Sequence, residues 1–153
     1  MAVIGMKEAR EFKEQHGTPL LVVSKRRIED KIQIWKDYLP QVQMYYAVKA
    51  NPNPEILKII NSSNEYFDIC SNAEIEVVKA FGVKGSNMLH THPIKRDQDI
   101  RFALENGVNW FVFDNEYELQ KFLPYKDRVN LLMRISFPNP DCVVNLSYKF
   151  GAD

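Results

Sequence analysis

Cysteine is scarce in this sequence. Only Cys70 and Cys142 occur among 153 residues, far apart and in no CxxC pattern. That spacing supports neither a disulfide framework nor a thiolate metal site, and it points to buried thiols in a reducing compartment. An excess of charge is missing too. Twenty Lys and Arg balance twenty Asp and Glu, and no basic stripe interleaves with aromatics, so nucleic acid is not an expected partner. No apolar run approaches the roughly 20 residues that span a bilayer. The stretch from Met1 to Arg10 lacks the basic segment and apolar block of a secretion signal. No membrane partner is therefore expected, the expected location is cytoplasmic, and the sequons at Asn61 and Asn145 carry no meaning. What remains, 45% apolar and 26% charged residues, is the composition of a globular protein with a core.

The chain opens with a charged, helix-like segment from Met6 to His16, broken by Gly17-Thr18-Pro19, and Leu20 to Val23 reads as a short strand. Apolar residues at Ile28, Ile32, Ile34, Trp35 and Leu39 predict an amphipathic helix that Pro40 closes. A repeat then begins. Strands are predicted at Met44–Val48, Tyr66–Ile69, Met88–His90, Trp110–Phe113 and Val129–Ile135, with helices at Pro54–Ile60, Asn72–Phe81, Arg96–Asn106 and Asn115–Phe122. Strands recurring about every 20 to 23 residues fit a minimal βα unit. Their nearly continuous apolar character predicts a parallel sheet covered on both faces. Ser71-x-x-Glu74 is a capping-box pattern, Asp114 suits a helix cap, and Gly82 and Gly107 suit helix ends. Trp35, Trp110 and the other aromatics read as core.

No Gly-rich phosphate turn follows the first strand of the repeat, which favours a barrel over a dinucleotide-binding sheet. The fold class is α/β: the N-terminal part of a (β/α)8 barrel, with about five βα units. A complete barrel needs about 250 residues, so residues 1–153 are expected to be a partial barrel domain, truncated after its fifth strand.

The stretch Met44-Tyr45-Tyr46-Ala47-Val48-Lys49-Ala50-Asn51-Pro52-Asn53-Pro54 organises the rest. An apolar run ends in one lysine, and a helix start follows at once, with Asn53 suited to cap and Pro54 to the first turn. Lys49 therefore falls at the strand-to-helix rim that carries chemistry in α/β folds. It is either a surface cation or an amine desolvated enough to attack a carbonyl as a Schiff-base lysine. Asp68, at the next strand end, is either a carboxylate facing that amine or a helix-start carboxylate steadied by the dipole. Glu74 either faces the site or is the acidic half of the capping box. Arg134 ends an apolar strand and needs a carboxylate partner. His90-Thr91-His92 lacks a third ligand nearby, so no metal is expected there; a loop histidine near the barrel mouth is the simpler reading.

Aligned in order, these strand ends resemble the pyridoxal-phosphate-dependent decarboxylases of the alanine-racemase-type fold, which act on ornithine, lysine, arginine and diaminopimelate. The resemblance rests on Tyr46-Ala47-Val48-Lys49-Ala50-Asn51 and on Phe67-Asp68-Ile69-Cys70-Ser71-Asn72-Ala73-Glu74-Ile75-Glu76. It continues through His92-Pro93-Ile94-Lys95, Asp99-Ile100-x-x-Ala103, Gly107-Val108, Phe113-Asp114-Asn115-Glu116-x-Glu118-Leu119, Arg134-Ile135 and Leu146-Ser147-x-Lys149-Phe150-Gly151. The Phe-Asp-Asn-Glu-x-Glu-Leu wording leans to the ornithine branch, and Pro52-Asn53-Pro54-Glu55 stands where racemases carry an Ala-Tyr-Gly-His-Gly-like turn.

The resemblance implies that Lys49 holds pyridoxal 5'-phosphate as a Schiff base. Asp68, Glu74 and Arg134 would lie in the cofactor layer, with Arg134 paired to Asp68, and Lys149 would meet an acidic residue of the other subunit in a homodimer. Lys49 must be neutral to attack, so burial or a neighbouring cation is expected to depress its pKa. The substrate would be a small basic amino acid that loses CO2, making the protein a lyase of polyamine biosynthesis. A ring-stacking histidine, a glycine-rich phosphate turn, a carboxylate for the pyridine nitrogen and a C-terminal β domain would all fall beyond the position of Asp153. The 153 residues alone are therefore expected to be inactive. Two alternatives stand beside this reading: a truncated, non-catalytic relative that binds and regulates a full-length decarboxylase, and a small single-barrel cofactor-binding protein.

Overall fold

The computed structural model describes residues 4–137 and 149–152; Cys142, the Asn145 sequon and the Leu146-Ser147 part of the last motif lie outside them. The chain forms two compact units, Met1–Val42 and Gln43–Asp153. The first holds two helices. In α1 (Met6–His16), the Glu8 carboxylate accepts from the Gly5 N–H at 2.8 Å, and Gly17 ends the helix at φ +77°. In α2 (Lys25–Tyr38), the Ser24 hydroxyl accepts from the Arg27 N–H at 3.4 Å. That cap starts the helix before Ile28, the first residue of its apolar pattern. Ile32 is the buried residue of this helix, and the half-buried Trp35 donates its indole N–H to the Val42 carbonyl at 3.0 Å. The predicted strand at Leu20 to Val23 does not form. A strand needs a neighbour for its N–H and C=O groups, the described part of this unit otherwise offers helices, and Leu21 is 82% exposed.

The second unit carries the repeat. Strands β1 (Tyr45–Ala47), β2 (Tyr66–Ile69), β3 (Met88–His90), β4 (Trp110–Phe113) and β5 (Asn130–Met133) form one sheet in the order β1-β2-β3-β4-β5, every pair parallel. Helices α3 (Pro54–Ser62), α4 (Asn72–Lys79), α5 (Asp97–Glu105) and α6 (Glu116–Gln120) connect them. The order never reverses, so there is no switch point of the doubly wound kind and the sheet winds one way, as in a barrel.

Register explains the core. Phe67 pairs with Met88, Ile69 with His90, and His90 with Phe111. This row shares one face and is buried together with Leu57, Ile60, Ile75, Val78, Ile100, Ala103 and Phe122. The other face carries Ala47, Asp68, Leu89 and Trp110 in register, and its residues are only half-buried or exposed. The expected cover on both faces is thus present on one. Five strands leave the sheet open, so Trp110 is 36% and Met133 55% exposed, and Trp110 is not a core residue.

Helix starts follow local chemistry. Asn53 accepts from the Glu55 N–H at 2.9 Å, with Pro54 at the first position of α3. Ser71 accepts from the Glu74 N–H at 3.3 Å. Asn115, not Asp114, caps α6, accepting from the Glu118 N–H at 2.9 Å. Asp114 instead accepts the Gly151 N–H at 3.1 Å. Gly151 has φ +121°, and a Cβ there would lie 2.7 Å from the Ser136 nitrogen. Only glycine lets residues 151–152 come this close, in a parallel bridge between Ala152 and Ile135. β5 itself ends at Met133. No helix among the described residues is long and apolar enough to cross a membrane.

Candidate active site

Lys49 lies on a 3-10 turn, Val48–Ala50, directly after β1. Val48 is fully buried and pins the turn from below. The Tyr46 hydroxyl donates to the Asn51 carbonyl at 3.1 Å, and Asn51 accepts from the Asn53 N–H at 3.1 Å, so the turn is tied at once to the cap of α3. The amine is therefore at the predicted handover from strand to helix. The expected burial is not there: Lys49 is exposed, because β1 is an edge of the open sheet.

A cavity of about 280 Å³ opens beside the starts of α4 and α5. A second one, of about 230 Å³, has Lys49 on its wall together with Cys70, Thr91, His92, Pro93, Arg134, Lys149 and Phe150. The turn after β1, the segments after β2 and β3, the end of β5 and the returning segment at Phe150 thus converge on one rim. Lys149, exposed, joins it because Gly151 and Ala152 pair back beside Arg134 to Ser136.

Asp68 is half-buried on β2 and does not line that cavity. Its Oδ1 accepts the Thr91 hydroxyl at 2.5 Å. Burial pushes its carboxyl above the ordinary range, while the Thr91 hydrogen bond and the Lys49 charge pull it back. The expected Arg134–Asp68 pair is not formed. The Arg134 guanidinium lies 5.5 Å over the Phe150 ring, a cation–π contact favoured by a planar, weakly hydrated cation. Glu74 serves the start of α4, but one residue earlier than the capping box predicts, because it takes the Cys70 N–H rather than that of the Ser71 cap. Its Oε2 accepts from the Cys70 N–H at 2.6 Å while its own N–H donates to Ser71, and it does not line the cavity. Cys70 is a free thiol, half-buried rather than buried.

The two histidines separate. His90 is 2% exposed, stacks on Phe111 at 5.9 Å, and leaves its Nδ1 without a partner. Burial first, then the charges of Lys95 and His92, push its pKa down to about 4. His92 lies on the rim, edge-on to Phe150 at 5.6 Å, its Nδ1 2.8 Å from the Ile94 carbonyl oxygen and 3.2 Å from the Ile94 nitrogen. Among the described residues, no group of three or more His, Cys, Asp or Glu could hold a metal ion.

Beneath the rim lies a buried ion pair that sequence reasoning missed. Lys95 Nζ is 3.1 Å from Glu118 Oε1, with side chains 1% and 3% exposed. The ammonium also donates to the carbonyls of His92, Pro93 and Val112 at 2.9, 3.0 and 2.7 Å. Glu118 accepts the Lys95 N–H at 3.0 Å and pairs with Lys121 at 2.6 Å. Burial lowers the Lys95 pKa, against the charge of Glu118. The pair anchors residues 92–95, the loop that carries His92 and follows Thr91. Thr91, Lys95 and Glu118 share one signal: Asp68 with Thr91, and Lys95 with Glu118, are each 23 residues apart, one period of the repeat.

Residues 25–153 match the family model described as "Pyridoxal-dependent decarboxylase, pyridoxal binding domain". The chain belongs to that family. It is 34% identical over 146 residues to the lysine/ornithine decarboxylase of Selenomonas ruminantium, covering 95% of this chain and 37% of the relative. Among solved structures, it is similar to the lysine/ornithine decarboxylase of Vibrio vulnificus complexed with putrescine, with TM-score 0.85 and 38% identity over 99% of this chain and 40% of the other. It is also similar to the arginine decarboxylase of Paramecium bursaria Chlorella virus, with TM-score 0.86 and 32% identity over 95% and 40%. The chain therefore spans about two fifths of the length of these relatives. The five parallel strands and the four helices that connect them are the N-terminal barrel part of this fold.

Proposed function

We propose that this chain supplies the lysine-bearing part of the cofactor site of a pyridoxal-phosphate-dependent decarboxylase of small basic amino acids. The observation that carries the reading is the convergence of Lys49, Thr91 and Arg134 on one cavity at the strand-end rim, with Asp68 tied to it through Thr91. The donor set fits the cofactor: a solvent-accessible primary amine for its aldehyde carbon, a carboxylate within the field of that amine, and a guanidinium for its anionic groups. Bound there, the cofactor supplies an electron-withdrawing ring that takes up the electron pair left on the amino acid's α-carbon as CO2 departs.

The chain's own residues do the rest. Lys49 is the covalent attachment point and, on its tied turn, presents its amine toward solvent. Asp68 places a carboxylate within the field of that amine. Arg134, stacked on Phe150, offers five N–H donors in a fixed fork. Glu74, whose Oε2 accepts from the Cys70 N–H at the start of α4, is assigned to the cofactor layer with Asp68 and Arg134. Basic substrates are supported by relatives named for lysine, ornithine and arginine. The reading also carries the partial-barrel organisation of residues 1–153, the homodimer with Lys149 at its interface, a role in polyamine biosynthesis and a cytoplasmic place.

The test is to mix the full chain with pyridoxal phosphate, reduce with borohydride and digest. A pyridoxyl group on the Lys49 peptide by mass spectrometry, absent in Lys49→Ala, is the expected result. A folded chain with no modified Lys49 would overturn the assignment. Release of CO2 from ornithine, lysine or arginine by the longest natural form of the protein identifies the substrate.

A further inference from the structure

Thr91 is the first residue after β3, and its backbone N–H donates to the Ile69 carbonyl at 3.0 Å, extending the β2–β3 ladder by one step. Two residues on, Pro93 is buried and its carbonyl is gripped by the buried Lys95 ammonium. The residue is thus held from both sides, and its β-branched side chain has few rotamers to choose from. Among the described residues, its hydroxyl is the hydrogen-bond donor to the Asp68 side chain.

A hydroxyl has one proton. Here it goes to Asp68, so toward Cys70, whose Sγ is 3.5 Å away, the Thr91 oxygen is the acceptor and the thiol the donor. The chain Cys70 to Thr91 to Asp68 therefore points every donation toward the carboxylate. Two groups favour the ionised carboxylate, this hydroxyl and the Lys49 amine on the turn after β1, and burial opposes them.

We infer that Thr91 is a positioning residue: its hydroxyl keeps Asp68 ionised and oriented beside Lys49, where a carboxylate steadies positive charge on that nitrogen. The inference rests on the cofactor-site reading given above. Arg134, the cation first expected to do this, is occupied with Phe150 instead.

The test uses the full chain with [γ-13C]aspartate, the Asp68 resonance being assigned by Asp68→Asn. Its titration is followed without cofactor in the wild type, Thr91→Val and Thr91→Ser. Val has the shape of Thr without the donor, Thr91→Ala serves as a second donor-free variant, and Ser restores the hydroxyl. Losing a hydrogen bond to the charged form is expected to raise the Asp68 midpoint by about one pH unit in the donor-free variants, with Ser returning it close to wild type. In parallel, pyridoxal phosphate binding is followed by absorbance through the acid range. Its acid limb moves upward with the Asp68 midpoint. An Asp68 midpoint left in place by both donor-free variants overturns the inference, whatever the cofactor does. A midpoint that moves while the acid limb of binding stays put upholds the action of Thr91 on Asp68 and overturns the placement of Asp68 against the cofactor.

Discussion

Replacing Glu118 by Gln removes one charge from the centre of the buried network without changing its shape. The amide oxygen still accepts the Lys95 N–H, and the three carbonyls at 2.7 to 3.0 Å still surround the ammonium. What is lost is the only carboxylate within 4 Å of Lys95 among the described residues, at a side chain 1% exposed. Breaking such a pair from one side costs about 3–5 kcal/mol, because the remaining charge stays desolvated. The surviving carbonyls argue for the lower end, about 3 kcal/mol, a large share of the roughly 5–15 kcal/mol that stabilises a domain. Lys121, 37% exposed, reaches the same Glu118, and Lys121→Met is expected to lose only about 1 kcal/mol or less. Urea unfolding followed by far-UV circular dichroism measures both. The sign with pH is also set. Burial already lowers the folded pKa of Lys95 from 10.5, and Glu118 is its main opposing influence. Without Glu118 the folded pKa falls further, the unfolded chain binds more protons, and the variant regains stability as pH rises toward 10.5. A deficit below about 1 kcal/mol, or one that does not shrink with rising pH, would refute the view that an unpaired buried charge is what the variant suffers.

His90 has a folded pKa of about 4 against an ordinary 6.5, so the unfolded chain takes up its proton first and stability falls as pH drops through that window. Between about pH 7 and about pH 5 the loss is about 2 kcal/mol, and His90→Phe, able to stack on Phe111, should flatten this limb of a urea-midpoint profile. Gly85→Ala would set a Cβ 2.3 Å from the Asn106 oxygen and 2.6 Å from the Val108 nitrogen. Backbone cannot yield as a side chain does, so a loss of about 1–3 kcal/mol is expected by urea unfolding. Ser71→Ala and Asn115→Ala each remove one cap bond and should cost about 1 kcal/mol apiece, additively, since the sites share no partner.

Much of this molecule was legible before its structure. The caps at Asn53 and Ser71 and the place of Lys49 at the end of β1 rest on residues within a turn of one another, and the βα repeat and its parallel pairing show as apolar runs that recur once per unit. A cap is satisfied or not by what stands two or three positions away, and an apolar run reads the same in any surroundings. The misses are of another kind. Leu20 to Val23 have strand composition, but the described part of their own unit holds no other strand to pair with, and Asp114 yields the cap to Asn115 because Gly151, 37 residues on, claims its carboxylate.

By itself, then, the sequence determined which residues stand at the strand ends, in what order, and which amine leads them. Tertiary structure alone decided what those residues touch: Thr91 on Asp68, Phe150 under Arg134, Glu118 against Lys95, and one cavity shared by Lys49 and Arg134. Contacts across a sheet depend on register and on how far the sheet closes, and both emerge only when strands one repeat apart lie side by side.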